Sequence, residues 1–251
     1  MTSISIITVA YNSEKTIRDT ILSVLSQSYS KIEYIIIDGG SSDGTKKIIN
    51  EYIDDISYFI SEQDKGIYDA MNKGIKVAKG EIIGILNSDD IYFSNETVSD
   101  VEMAFRGNKA DALYGDLVYF RGNNYEEYIR YWKSREYYRN FFHHGNTIPH
   151  PTLFVKRMVY DVIGGYHTDY KITSDFEFML RAFVIKDFRL HYMSKTLVKM
   201  RMGGESTKNV ANIVKGNLEL YDSWIRNDLK FPFFLYFLRP IKKVLQLFIL
   251  K

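Results

Sequence analysis

Short apolar runs alternate with helical patterns along the first hundred positions. Ile4 to Val9 reads as a strand, and after Asn12-Ser13 the residues Ile17, Ile21, Val24 and Leu25 fall on one face at helical spacing. Tyr34 to Ile37 is a continuous isoleucine-rich strand ending in Asp38, and Gly39-Gly40-Ser41-Ser42-Asp43-Gly44 is a loop. Thr45 then opens a helix carrying Ile48, Ile49, Tyr52 and Ile53. Ile56 to Ile60 gives a third strand. Tyr68, Met71 and Ile75 stripe the next helix, and Ile82 to Leu86 is a fourth strand ending at Asn87-Ser88-Asp89-Asp90. This alternation is the signature of β-α-β units on a parallel sheet, and it predicts an α/β fold.

The second half is less regular. Ala112 to Phe120, Thr152 to Val155 and Leu197 to Met202 read as strands, and Asp175 to Phe183 reads as a helix. Val210, Val214, Leu218, Tyr221 and Ile225 predict an amphipathic helix. Between these elements, residues 121–146 form a polar, aromatic and basic stretch. From Phe231 to Lys251 the chain is apolar but interrupted by Arg239-Pro240, Lys242 and Lys243. A spanning helix needs roughly 20 predominantly apolar residues, so a segment lying in a membrane surface is the better reading of this tail.

Composition narrows the picture. With 251 residues, 45% apolar and 25% charged, the chain is an ordinary globular one with room for one sizeable domain. The formal charge of +2 argues against a nucleic-acid binder that relies on phosphate neutralisation. The basic and aromatic run Arg130 to Arg139 therefore reads better as a solvated face, or one near anionic lipid, than as a single-strand platform. Without cysteine there can be no disulfide and no thiolate-ligated zinc, which fits a reducing compartment. No signal run precedes the first strand, so a cytoplasmic location is expected. The 20 Tyr and 16 Phe suit either faces that bind sugar rings or lipid, or a tyrosine-rich core.

Candidate chemistry lies at the strand ends. Ligands of open parallel sheets bind beyond the carboxyl ends of the strands, and Asp38 and Asn87-Ser88-Asp89-Asp90 terminate two of them. Asp38 can accept hydrogen bonds from a base or ribose. Asp89 and Asp90 can hold a hard divalent cation. Taken singly, each cluster is explained equally well as a turn or helix cap. Asp175 alone reads as a helix N-terminal residue favoured by the dipole. His143, His144 and His150 are spaced too irregularly for a metal site, and Gly203-Gly204 is compatible with a plain turn.

Together these segments resemble a known family. Ile6-Ile7-Thr8-Val9-Ala10-Tyr11-Asn12 resembles the opening strand and loop of family-2 glycosyltransferases, and Ile36 to Thr45 their second nucleotide-binding segment. Asp64-Lys65-Gly66-Ile67-Tyr68-Asp69-Ala70-Met71-Asn72-Lys73-Gly74 is similar to a segment of the branch that builds O-antigen and capsule. Leu86-Asn87-Ser88-Asp89-Asp90 stands where the family has its Asp-x-Asp metal motif, with Asn87 in place of the first Asp. His150-Pro151, Gly164-Gly165-Tyr166 and Ser174 to Arg181 resemble the acceptor-side half, so the resemblance runs in one order from about residue 3 to 206.

The resemblance implies a GT-A fold: a Rossmann-like, mostly parallel central sheet with a mixed acceptor-side extension. Residues 1–110 would be the nucleotide-sugar half and 111–228 the acceptor-side half of one domain, with 229–251 as a membrane-associating tail. Thr8, Ala10, Tyr11, Asn12, Asp38, Asp64, Asn72 and Ser88 would contact the donor. Asp89, and less centrally Asp90, would hold Mn²⁺ or Mg²⁺ to neutralise the leaving nucleoside diphosphate. Asp175 would be the general base of an inverting displacement, with Glu177 as understudy. His150, Arg201 and Ser206 would belong to the acceptor site or a loop near the diphosphate.

The implied reaction moves a hexose or N-acetylhexosamine from a UDP-sugar to a lipid-linked oligosaccharide, in lipopolysaccharide or capsule synthesis at the inner face of the cytoplasmic membrane. A polyprenyl-phosphate sugar synthase and a non-catalytic sugar-nucleotide or glycan-binding protein are the alternatives. No nucleic-acid partner is expected, and a homo-oligomer is left open.

Overall fold

The computed structural model describes residues 2–122, 124–203 and 210–233. Ser206 and residues 234–251 of the expected membrane-associating tail lie outside the described residues. The first half follows the predicted alternation: β1 (Ile4–Ala10), α1 (Ile17–Leu25), β2 (Ile32–Asp38), α2 (Thr45–Asn50), β3 (Tyr58–Ser61), α3 (Ile67–Val77) and β4 (Ile82–Ile85). The remainder adds β5 (Ile91–Tyr92), α4 (Thr97–Gly107), β6 (Ala112–Phe120), β7 (Tyr128–Trp132), β8 (Phe154–Lys156) and α5 (Arg157–Ile163). It closes with α6 (Ser174–Met179), β9 (Leu190–Arg201) and α7 (Val210–Arg226).

One sheet of nine strands runs through the molecule in the order β3-β2-β1-β4-β8-β6-β9-β5, with β7 also paired to β6. Strands β1 to β4 are parallel to one another, as the β-α-β pattern requires. Beyond β4 the sheet changes character. Strand β8 is antiparallel to both β4 and β6, β7 is antiparallel to β6, β5 is antiparallel to β9, and only β6 and β9 pair in parallel.

The expected mostly parallel GT-A sheet with a separate mixed extension is therefore corrected. Parallel and antiparallel pairings are balanced within one continuous mixed sheet. The physical reason lies in β8, a three-residue strand that enters edge to edge between β4 and β6 and reverses direction there. The apolar run at Thr152 to Val155 marks this strand in the sequence, but so short a run carries no signal of its neighbours or its direction.

Alternation along the central strands builds a core on each face. Ile7, Val9, Ile35 and Ile37 face Tyr68, Met71, Val159, Phe176 and Trp224 of α3, α5, α6 and α7. Ile4, Ile6, Tyr34 and Ile36 face Ile17, Ile21, Ile49 and Val101 of α1, α2 and α4. Among the described residues ten tyrosines are buried, so the aromatic content serves the core in large part.

Two helices differ from expectation. The predicted helix Asp175 to Phe183 is α6 followed by a wider π-helical turn, Leu180–Ile185. Helix α7 forms where predicted, but the apolar stripe used to predict it faces outward. Val210, Val214, Leu218, Tyr221 and Ile225 are exposed, while Gly216, Glu219, Leu220, Ser223 and Trp224 are buried.

Candidate active site

The parallel register brings the predicted donor segments to one edge. Ala10 pairs with Asp38, and Asp38 with Ser61, so β1, β2 and β3 end level. The Leu86 N–H continues the β1–β4 ladder to the Ile7 carbonyl at 2.9 Å, which delivers Asn87 to Asp90 beside the β1 loop.

Side chains then tie the loops together. Asp38 is fully buried, and its carboxylate accepts from the Ser41 N–H (3.0 Å), the Ser41 hydroxyl and the Ser61 hydroxyl (2.6 Å). Ser41 Oγ in turn accepts the Asn12 N–H at 2.8 Å, and Asn12 Oδ1 accepts the Ser42 N–H at 2.9 Å. Asn12 holds a positive φ of 48°, a conformation that asparagine tolerates better than most residues. The Ser13 and Ser88 hydroxyls meet at 2.7 Å, joining the third loop.

The remaining donor-side residues divide by exposure. Thr8 and Ala10 are buried, with Thr8 Oγ1 accepting from the Tyr34 hydroxyl at 3.2 Å, while Tyr11 stands 65% exposed at the rim. Asp64 accepts the Gly66 N–H at 2.8 Å, and its carboxylate lies so close to Gly39 that a Cβ there would collide with it. The glycine after Asp38 is thus required for Asp64 to approach.

Asp89 is half-buried, and burial raises its carboxyl above the ordinary carboxylate value, against its own backbone N–H and the charge of Arg201. Asp90 is fully buried and pushed well above that value, first by burial and then by Asp89. Its Oδ1 accepts the Arg201 N–H at 3.2 Å and its Oδ2 faces Asn87 Nδ2 at 3.5 Å. Both Asp90 oxygens are thus engaged by neighbouring groups.

The Asn87 Oδ1 atom, in contrast, is buried without a hydrogen-bond donor. An orphaned oxygen beside Asp89 suits a hard cation. Among the described residues no group of three or more His, Asp or Glu forms a cage of its own. The Arg201 guanidinium, stacked over Phe120 at 4.8 Å, bonds to Asp19 at 3.3 Å and to the Gly122 carbonyl.

A second cluster lies on the α3 side. Tyr68 donates its hydroxyl to Asp175 Oδ1 at 3.2 Å, and burial followed by the Asp175 charge raises the Tyr68 phenol well above its usual value. Only three residues separate Asp64, against Gly39, from Tyr68, against Asp175. One turn of chain thus joins the donor-side loops to the predicted base. Sequence reasoning missed Tyr68 as a polar residue because it counted it as part of an apolar stripe.

The segment before Asp175 is held by Glu219, a buried α7 carboxylate that accepts the N–H groups of Lys171 (2.9 Å), Ile172 (2.8 Å) and Thr173 (3.1 Å). Glu177 is fully buried in a pair with Arg181 (2.8 Å) and a bond from Asn227 (3.1 Å), which leaves it no free face toward Asp175. Asn72 brackets the Tyr166 backbone, donating to its carbonyl at 2.7 Å and accepting its N–H at 2.8 Å. His150 meets the Tyr166 hydroxyl at 2.9 Å, His144 meets Tyr138 at 3.1 Å and His143 lies 4.6 Å from the Trp224 ring, so the three histidines do not converge.

Residues 5–163 match glycosyl transferase family 2, and the chain belongs to that family. It is thus a glycosyltransferase by class. An uncharacterized glycosyltransferase of Mycobacterium tuberculosis is 31% identical over 188 residues, covering 73% of this chain and 70% of that protein. A PGL/p-HBAD biosynthesis glycosyltransferase of Mycobacterium bovis is 30% identical over 166 residues, 64% of this chain and 62% of that protein.

Among solved structures, S. aureus TarS 1–349 in complex with UDP-GlcNAc aligns at a TM-score of 0.66 with 21% identity, covering 83% of this chain and 61% of that one. The Pyrobaculum calidifontis mannosyltransferase PcManGT in complex with GDP-Man and Mn²⁺ aligns at 0.66 with 16% identity, over 90% of this chain and 64% of that one. At such identities the likeness concerns the fold, and this chain spans less than two thirds of either solved chain.

Proposed function

We propose that this chain transfers a hexose or N-acetylhexosamine from a UDP-sugar to an acceptor hydroxyl with inversion at the anomeric carbon, with Asp175 as general base. The observation that carries this reading is the Tyr68–Asp175 hydrogen bond, made four positions along the chain from Asp64, whose carboxylate crowds Gly39 at the strand ends. A carboxylate held there can take the proton of an incoming alcohol as that alcohol attacks from the side opposite the diphosphate. A single displacement needs no covalent enzyme intermediate, unlike hydrolases that place a second carboxylate as nucleophile. A positioned base typically contributes about 10²–10⁴-fold.

The residues present fit a divalent cation, Mn²⁺ or Mg²⁺, with Asp89 as the charged ligand and the orphaned Asn87 Oδ1 as a neutral one. Such a cation neutralises the charge that develops on the departing diphosphate. The chain's own part is to present these two oxygens on the turn after β4 and to keep Asp90 and Arg201 packed behind them. The mycobacterial relative named for PGL/p-HBAD biosynthesis and the UDP-GlcNAc and GDP-Man complexes support a nucleotide-sugar donor and a glycoconjugate product.

A lipid-linked acceptor at the cytoplasmic membrane face follows from the apolar and basic sequence after Phe231. No helix among the described residues is long and apolar enough to cross a membrane. The test is UDP binding to Asp89→Ala with and without Mn²⁺. Metal-dependent binding should disappear, and its retention would remove Asp89 as principal ligand.

A further inference from the structure

A cavity of about 510 Å³ opens between the N-terminal end of α3, the loop before α6 and the start of α7. Its wall carries the ammonium-bearing side chains Lys65, Lys171 and Lys215, together with Tyr68, Tyr170 and Ile172. Among the described lining residues the carboxylate is that of Asp69, engaged by the Lys65 N–H (3.0 Å) and by Lys73 (3.7 Å). Among the described residues none of the three lysine ammoniums pairs with a carboxylate; Lys171 Nζ instead donates to the Lys65 carbonyl at 2.8 Å. The first turn of α3, an 11-residue helix, adds its partial positive charge to the same space. Three like charges lining one hollow repel one another unless an anion joins them.

The hollow adjoins the reaction centre, because Tyr68 lines it and gives its hydroxyl to Asp175. It also adjoins an apolar surface. Leu218, three residues beyond Lys215 and so beside it on the helix, is 63% exposed, and Val214 and Tyr221 continue the exposed stripe.

We propose that this cavity is the acceptor-anion subsite, taking the phosphate or diphosphate of a phosphate-bearing acceptor while the lipid attached to it runs over Val214, Leu218 and Tyr221 of α7. The assignment rests on Asp175 as base and names the acceptor class for that site. Lys65, Lys171 and Lys215 hold the anion, and the sugar it carries is turned toward Asp175. The buried face of α7 secures the segment before Asp175 through Glu219, so the same helix that receives the acceptor also fixes the base.

The experiment titrates farnesyl diphosphate, inorganic pyrophosphate and farnesol into the full chain saturated with UDP and Mn²⁺. The wild type is compared with the triple variant Lys65→Gln, Lys171→Gln, Lys215→Gln and with Leu218→Asp. Farnesyl diphosphate should bind alongside UDP, and the triple variant should lose at least about tenfold in affinity while its UDP affinity is unchanged. Leu218→Asp should weaken farnesyl diphosphate but not pyrophosphate.

Equal binding of pyrophosphate and farnesyl diphosphate would assign the subsite to a soluble polyphosphate and overturn the lipid-linked acceptor. Displacement of farnesyl diphosphate by excess UDP, unchanged affinity in the triple variant, equal binding of farnesol, or no binding at all would overturn the subsite itself. UDP binding is read in the same titrations, so a failed subsite leaves a distinct record from a failed donor site.

Discussion

At the residue scale the site is defined by which polar atoms are already engaged. Asp38, Asp90, Glu177 and Asn72 each have their oxygens or amide committed to protein partners, whereas among the described residues Asp175 accepts from the Tyr68 hydroxyl. That hydrogen bond engages the carboxylate through Oδ1. Tyr68→Phe should lower turnover by roughly 10–100-fold, the range for losing a hydrogen bond to a charged group, while UDP affinity stays unchanged. Steady-state kinetics beside a UDP titration will separate the two, and normal turnover would remove Tyr68 from the machinery.

His150 makes a second prediction at this scale. Burial lowers its imidazole below the usual value of 6.5, with Asp175 opposing the shift. The folded protein therefore holds a proton there less readily than the unfolded chain. Stability from this group is full above about pH 6.5 and is lost as pH falls through the depressed folded value. Denaturant midpoints between pH 7.5 and about pH 5 should show that decline, and His150→Gln should flatten it. An identical slope in the variant would assign the decline to other groups.

At the element scale, the sequence and the structure agree best where side-chain periodicity decides the element. Strands β1 and β2 are rich in isoleucine, and β1 and the last five residues of β2 are buried, so this run of isoleucines could hardly be placed elsewhere. Helix α7 shows the limit. Its apolar spacing marks a helix, but periodicity does not say which side meets the core. The core side is instead chosen by Trp224, which packs under Phe176 and Phe231, and by the Glu219 carboxylate, which satisfies three backbone N–H groups. Neither preference is visible as a hydrophobic stripe.

The same holds for β7, where the Arg130 guanidinium lies 3.7 Å over the Tyr119 ring, and for Tyr131, whose hydroxyl bonds Asp116 at 2.6 Å. The polar and basic spelling of that strand hid it. Asn72 likewise acts between elements, joining α3 to the turn after α5 through both ends of its amide. Asn72→Ala leaves the Tyr166 N–H and carbonyl without these partners, at a cost of about 1–3 kcal/mol. The melting temperature should fall by several degrees; an unchanged value would show that the turn is held by Arg181, whose guanidinium donates to the Ile163 and Gly165 carbonyls, without Asn72.

At the scale of the whole molecule, the candidate site arises where the two halves of the mixed sheet meet. The parallel strands β1 to β4 present the donor-side loops, and α3 crosses from them toward α6. The donor-side motifs were legible because each ends a strand and lies within a few residues of a glycine or serine turn. The order β4-β8-β6-β9 was not legible, since it depends on pairings between segments far apart in the chain. The long separation between Tyr68 and Asp175, 107 residues, is of the same kind.

The proposed role of Asp175 is to act on an acceptor at a site where the donor binds independently. The direct measurement is turnover and UDP affinity of Asp175→Asn in parallel. Turnover should fall by at least about 10²-fold with UDP affinity and melting temperature unchanged. Near-normal turnover in a folded, UDP-binding variant would contradict it.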